Sequence, residues 1–471
     1  MTAPAEPVPL EREYDMRGKT GPSLAVALVL ATVANMVSSA ATRRVPSAYP
    51  TIQAAIDVCV TGDTVLVAPG TYEGNGNRDL SFHGVNLVLL SESGAPNTII
   101  DCGGELQHRG LIFQHGETRA SIVDGFTIQN GYHTGGAVRV EGPAGPTIRN
   151  SILTNNRGWE LGGYGYNSGG AAVSVELSGS PRVENCLITN NDGSYTGAGA
   201  IYFESVADAV VDHCTLTGNS GGGEGGAISV AHHMTGAVTV SNCLLEGNVG
   251  LHGGGIGGGA ATVENCEITR NQVDGFGGGV ELEEPSTISH CTISRNLAAL
   301  GGGGVALGDC AINQCILWGN CSSLGPNIAA SGSVVLTCCA APDSAIKVYV
   351  GGSIRWNGAQ VPGNPHFCEL PACPRFLDGP AGDYHLRSDS PCLAQFSPCH
   401  DLIGYWDEGC AAPQPVGACC LLGQLCQVMT STDCAARQGL YQGDGTPCYP
   451  KPCNPVPIRT MSWGQIKSTF R

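Results

Sequence analysis

A seven-residue motif that recurs along the middle of the chain restricts the fold more than any other feature. NSILTNN begins at Asn150, NCLITNN at Asn185, HCTLTGN at His213, NCLLEGN at Asn242, NCEITRN at Asn265, HCTISRN at His290 and QCILWGN at Gln314. Between the copies run GGAVRV from Gly135, GGAAVSV from Gly169, GAGAIYF from Gly197, GGAISV from Gly225, GGGIGGG from Gly253, GGGVEL from Gly277 and GGGVAL from Gly302. Each repeat therefore carries two short strands. From Phe126 through Ser151, Cys186, Cys214, Cys243, Cys266, Cys291 and Cys315 the spacings are 25, 35, 28, 29, 23, 25 and 24 residues. A floor near 23 residues with insertions confined to one loop predicts a coiled solenoid, because extra residues can only bulge outward from a turn.

Composition agrees. Only 13% of the 471 residues are charged, against roughly 25% in an average protein, and there are 69 glycines and 28 prolines. Such a chain lacks the Ala, Glu and Lys of helical folds, yet at 42% hydrophobic it is too apolar for disorder, and its glycines have no period of three as collagen would. A net charge of −17 disfavours nucleic acid and anionic membranes and leaves cations, cationic surfaces or neutral glycans as partners.

Strand alternation assigns the faces. In the consensus NCxIxxN the Cys and Ile are two apart and point inward, so coils stack cysteine on cysteine and aliphatic on aliphatic. The Asn at each end sits at a turn, where it tolerates the left-handed conformation and its amide suits stacked hydrogen bonding.

The opening TIQAAIDVCVTGDTVLVAPGTY (51–72), the GG(A/G)(V/I) and (I/L)xxN repeats and the closing AGDYHLRSDSPC (381–392) resemble exported bacterial right-handed parallel β-helix proteins of the pectin-lyase-like superfamily over residues 45–410. The repeats are also similar to those of chlamydial polymorphic membrane proteins, with Ile or Leu in place of Phe. The resemblance implies an all-β, right-handed parallel β-helix with an amphipathic N-terminal capping helix, for which TIQAAIDV supplies Ile52, Ala55 and Ile56. It carries over no catalytic residue: the GQD, GxVDFxFG and RPW-type motifs of pectin methylesterases, the NTD, DD and GHG of polygalacturonases, and the WxDH and RxPxxR of pectate lyases are missing.

The residues themselves offer one candidate catalytic constellation. With Val138, Val173 and Ile201 inward, Arg139 and Glu141, Ser174 and Glu176, and Tyr202 and Glu204 face outward in three successive coils. Rungs about 4.8 Å apart would stack Glu141, Glu176 and Glu204 into a carboxylate ladder. Such a ladder would raise one pKa, recruit a cation with calcium as the sole cofactor in view, or place two carboxyl groups at glycosidase distances; otherwise it is a solvated row of splayed side chains. Above it the longest loops carry Tyr132, Trp159, Tyr164, Tyr166 and Tyr195, which with Tyr202 are the candidate glycan-stacking residues; packing back onto the coil is the competing role. His232, His233 and His252 invite a metal site, but adjacent histidines point to opposite faces of a strand and no carboxylate or cysteine completes a set. Cys186, Cys214, Cys243, Cys266, Cys291 and Cys315 read as buried small hydrophobes rather than a redox array. Outward Thr154, Thr189, Thr217, Thr269 and Ser294 suggest a flat threonine face, interrupted by Glu246 and Glu267.

At the N-terminus, Arg17 and Lys19 precede the apolar run SLAVALVLATVANMV and the small residues SSAA, so residues 1–41 read as a signal peptide with an upstream extension, starting at Met16. A membrane anchor is the alternative, and the run of about 15 residues is short of the roughly 20 needed. After the β-helix (45–412) and a linker (413–416), residues 417–454 hold Cys419, Cys420, Cys426, Cys434, Cys448 and Cys453. So small a module needs staples, and six cysteines imply three disulfides with 15 connectivities. Cys338, Cys339, Cys368, Cys373, Cys392, Cys399 and Cys410 are expected to staple the last coils. Residues 455–471 end in TMSWGQIKSTFR, similar to TxxWGxIKxxxR tails that close some exported bacterial proteins, which implies sorting or surface attachment. The combined expectation is a secreted or cell-surface, non-catalytic binding rod, adhesive or directed at a polysaccharide or cell-surface glycan and not at nucleic acid; the alternative is a polysaccharide lyase, glycoside hydrolase or epimerase.

Overall fold

The computed structural model describes residues 40–158, 169–194, 197–369, 383–410, 416–421, 425–437 and 440–444. Among these, the strands form three long parallel sheets in which chain order is also spatial order. Sheet I has 13 strands from Thr42–Val45 to Ser353–Trp356, sheet II 11 from Leu80–Ser81 to Ile346–Val348, and sheet III ten from Gly70–Glu73 to Ile316–Trp318. Each coil contributes one strand to each sheet and pairs with the coil before and after it. The result is a parallel β-helix.

Each repeat thus has at least three strands rather than the two legible in sequence, and four coils add a short fourth at Val249–Gly250, Gln272–Val273, Leu297–Ala298 and Cys321–Ser322. The missed strand immediately precedes the repeat motif, as in Arg182–Glu184 before Leu187–Thr189. Only a tight corner separates them, and its pivot is a residue with positive φ: Asn150, Asn185, His213, Asn242, Asn265, His290 and Gln314 lie between 50 and 54° except Asn265 at 48°. One left-handed residue replaces a whole turn sequence, so no Gly or Pro marks the boundary.

The last Asn of the motif has a different task. Asn156, Asn191, Asn219, Asn248, Asn271, Asn296 and Asn320 are buried, and each side-chain amide donates to the Oδ1 of the next, at 2.9–3.0 Å. Asn320 hands the ladder to Asn327. Inside run the aliphatic rows and the cysteine row, with Cys186 to Cys315 buried and free and each thiol donating to a backbone carbonyl. Cys339, expected in a staple, is instead a further buried free thiol, because it falls one coil after Cys315 in the same inward position; Cys392 is also buried and free.

The N-terminal end is closed by the helix Ile52–Ile56, whose Ile52, Ala55 and Ile56 are buried and whose N-cap Thr51 accepts from the Ala54 N–H. Towards the other end, residues 383–410 lie over sheet III. The Thr269 hydroxyl donates to Tyr384 at 2.7 Å, the Tyr405 N–H to Thr292 Oγ1 at 3.0 Å, and the Trp406 indole to Glu267 at 2.5 Å. A second core of Phe367, Tyr384, Leu386, Leu393 and Ile403 forms there, and the threonine face expected at Thr269 and Ser294 is buried under it. A disulfide joins Cys338 to Cys399, and Cys321 and Cys410 are disulfide-bonded as well. In the cysteine-rich module, Val416–Leu421 pairs antiparallel with Leu425–Thr430 and Leu440–Asp444, and Cys419 is bonded to Cys434 on the helix Ser431–Ala436. Cys448, Cys453, the segment 1–39 and the tail 455–471 lie outside the described residues.

Candidate functional site

Sheet II carries the candidate chemistry on its outer side. Val138, Val173 and Ile201 are buried and in register, which places Arg139, Ser174 and Tyr202 on three successive rungs with Glu141, Glu176 and Glu204 just beyond the strands. The carboxylates do not stand as a bare ladder. Arg139 pairs through Nε with Glu141 and through Nη2 with Glu176 at 2.8 Å, and Ser174 Oγ donates to the other Glu176 oxygen at 3.1 Å. A cation from the chain itself therefore sits between two of the three acids, while Glu204 is exposed. Arg139, itself one of the catalytic candidates, is long enough to bridge its own rung and the next.

Behind this pair lies Arg109. Burial and the neighbouring Arg139 push its guanidinium down to about 10, and the same surroundings hold His133, half-buried beside both arginines, at about 4. Arg109 Nη1 and the Thr134 hydroxyl are buried without hydrogen-bond partners. Both arginines keep His133 neutral, so it serves as an acceptor: its Nδ1 takes the Thr134 N–H at 2.8 Å.

The aromatic candidates divide. Tyr132 is half-buried, with the Arg157 guanidinium 5.1 Å over its ring, so one stacking face is already occupied. Tyr202 is only 7% exposed, covered on the outer side of its strand rather than presented to a ligand; burial raises its phenol well above the usual range. Trp159, Tyr164, Tyr166 and Tyr195 lie outside the described residues.

A second constellation stands further along sheet II. Carboxylates from the same coil and from the next two meet the three histidines. His232 Nε2 is 3.2 Å from Glu224, His233 Nδ1 2.9 Å from Glu284, and His252 Nδ1 3.3 Å from Glu281. Sequence separations of 8, 51 and 29 residues hid these pairs. They are pairwise His–carboxylate contacts; among the described residues no group of three or more His, Cys, Asp or Glu side chains is placed to hold a metal ion.

Glu281 is the exceptional member. It occupies the Arg139 register five rungs on and is 8% exposed; burial raises its carboxyl, against the pull of His252. The hydrogen bond with Glu281 raises His252 in turn, against burial. The same His252 Nδ1 lies 3.3 Å from the Phe276 N–H, so it either accepts from that amide or, protonated, donates to Glu281. Both groups hold a proton more tightly in the folded chain. The stabilisation from His252 is therefore present below about pH 6.5 and lost as pH rises through its higher folded value. Urea unfolding should show wild type exceeding His252→Gln at pH 5.5 and converging with it by pH 8.5; an equal gap at both would rule the pairing out.

Beside Glu281 the surface opens into a notch of about 250 Å³. Small residues carve it: Ala306 and Ala329 follow Glu281 in register, and Gly308 and Ser331 line the next position. Phe276 and Tyr349 wall it at ring centroids 6.2 Å apart, edge to face, and Glu283 stands at the rim with its side chain 63% exposed. The Tyr349 hydroxyl is buried without a hydrogen-bond partner. None of these residues was singled out from the sequence. Extending the register of GGAVRV (135–140) to GGGVEL (277–282) would have placed Glu281 on the Arg139 face.

Stacked parallel coils with a polar outer sheet define a right-handed β-helix. The family model described as "Right handed beta helix region" matches residues 86–261. No curated protein matches the chain in sequence. Among solved structures, a mannuronic acid specific polysaccharide family 6 lyase enzyme from human gut microbiota is similar, at 12% identity and a TM-score of 0.31 over 66% of this chain and 91% of that one. Similarity at that level assigns no substrate.

Proposed function

We propose that this protein is an exported, non-catalytic β-helix that binds glycan along the outer side of sheet II. The observation that carries the reading is the notch: a sugar-sized hollow with Phe276 and Tyr349 as walls and carboxylates at its floor and rim, on a rigid sheet. Aromatic walls suit the apolar faces of sugar rings, and carboxylates accept from hydroxyls. The non-catalytic part is supported by Arg139, which engages Glu141 and Glu176 in ion pairs and so occupies the carboxylates that a hydrolase would need free. Export is supported by the disulfides Cys338–Cys399 and Cys419–Cys434, since such bonds persist outside the reducing cytosol.

The test is glycan-panel binding by the full exported chain, with product release assayed alongside. Phe276→Ala should weaken the best ligand at least fivefold, whereas Tyr132→Ala should change it less than twofold. Release of product from any polymer, or undiminished binding by Phe276→Ala, would overturn the reading.

A further inference from the structure

Resting on the glycan-binding reading, the geometry points to a more specific ligand: we infer that the notch beside Glu281 takes the ammonium group of an amino sugar, a hexosamine unit without its N-acetyl group. Three features converge. The floor is acidic at two depths, with Glu281 buried and Glu283 at the rim, and no basic side chain lines the notch. Lys347, in register one rung beyond Ala329, is exposed and does not line the hollow. Phe276 and Tyr349 wall the hollow with their rings in edge-to-face contact, so a cation seated over an open ring face is attracted by the aromatic quadrupole as well as by carboxylate. The hollow of about 250 Å³ admits one pyranose ring and little more.

Glu281 gives the preference its sign. A buried carboxylate is costly unless paired, and here its partner is His252, whose Nδ1 is shared with the Phe276 amide, so that the ring accepting from that amide brings Glu281 no charge. An ammonium on the open side supplies the missing charge permanently. A neutral acetamide supplies none and adds an acetyl group to a space bounded by Ala306 and Ala329. The Tyr349 hydroxyl, buried and without a partner, can turn to a ring oxygen or hydroxyl of the same sugar.

The full exported chain is titrated calorimetrically at 0.15 M salt with a glucosamine tetramer, an N-acetylglucosamine tetramer and cadaverine. The glucosamine tetramer should bind at least tenfold more tightly than the other two. Glu281→Gln should remove that preference, and Glu283→Gln at the rim should reduce affinity two- to threefold. Ala306→Leu fills the notch without altering charge and should abolish tight binding; retention would mean that the net negative chain merely attracts a polycation, and overturns the inference. Equal affinity for the two tetramers, or for cadaverine, overturns it too. If the acetylated tetramer binds as tightly as the glucosamine tetramer, and Phe276→Ala weakens it, the glycan reading stands while the amino-sugar inference fails; if no glycan binds, both fail.

Discussion

Asn219→Leu is expected to destabilise the solenoid by about 3–5 kcal/mol although it exchanges one buried side chain for another with the same branching at Cγ. Asn219 Oδ1 accepts from the Asn191 backbone N–H at 3.1 Å and from the Asn191 side chain at 3.0 Å, while its own Nδ2 donates to the Ile188 carbonyl and to Asn248. Leucine strands the buried Asn191 N–H and leaves the Ile188 carbonyl and Asn248 short of a donor, at roughly 1–3 kcal/mol for each group left unsatisfied. The damage should also be local, because each coil of a solenoid contacts only its neighbours. Hydrogen exchange is therefore the informative measurement: amides between Cys186 and Asn248 should lose protection while those before Phe126 keep it. Thr217→Ala, on an outward half-buried position of the same coil, should cost less than about 0.5 kcal/mol. If the two variants proved equally stable, the ladder would be packing and not hydrogen bonding.

The same ladder shows how far the sequence carries. The recurring NCxIxxN was enough to define coils, the inward Cys and Ile rows, and Asn at the turns. It did not separate the two asparagines, because one acts through backbone conformation and the other through its amide, and the letters are the same. Nor did it show a third strand per coil, since a single left-handed residue such as Asn185 or His213 leaves no turn signature. The site was harder. Glu141 and Glu176 were placed on the correct rungs, but side-chain reach decides which charges meet, and the pairing of both with Arg139 is invisible in a strand alternation. His252 with Glu281, and His232 with Glu224, join different parts of the coiled chain. A hollow is harder again, because Ala306, Gly308, Ala329 and Ser331 act by what they lack.

Removing the Cys338–Cys399 bridge should loosen the segment that covers sheet III, in which Cys410 keeps its own disulfide. The bond closes a separation of 61 residues, for which chain entropy alone gives about 4 kcal/mol. It pins residues 383–410, whose Tyr384, Leu386, Leu393 and Ile403 complete the second core, and whose contacts with Thr269, Thr292 and Glu267 are few and polar. The double variant Cys338→Ser/Cys399→Ser is the right one, because a lone Cys338 thiol would stand next in sequence to the free Cys339. It should gain protease sensitivity within 383–410 and lose amide protection along Glu267–Ser294, where the threonine face would meet water. The coils from Thr42 to Ser241 should be untouched. By contrast Cys266→Ala, deep in the thiol row, removes only a small buried group and a weak S–H donor, and should cost about 1–2 kcal/mol with no change at 383–410. The two cysteine classes then separate cleanly under reductant, which should act on the covering segment through Cys338–Cys399 and the bonded Cys321 and Cys410 while leaving the buried row unchanged. If the double variant resisted protease as wild type does, the second core would hold the segment without its bridge, and burial of Leu386 and Ile403 would outweigh chain entropy.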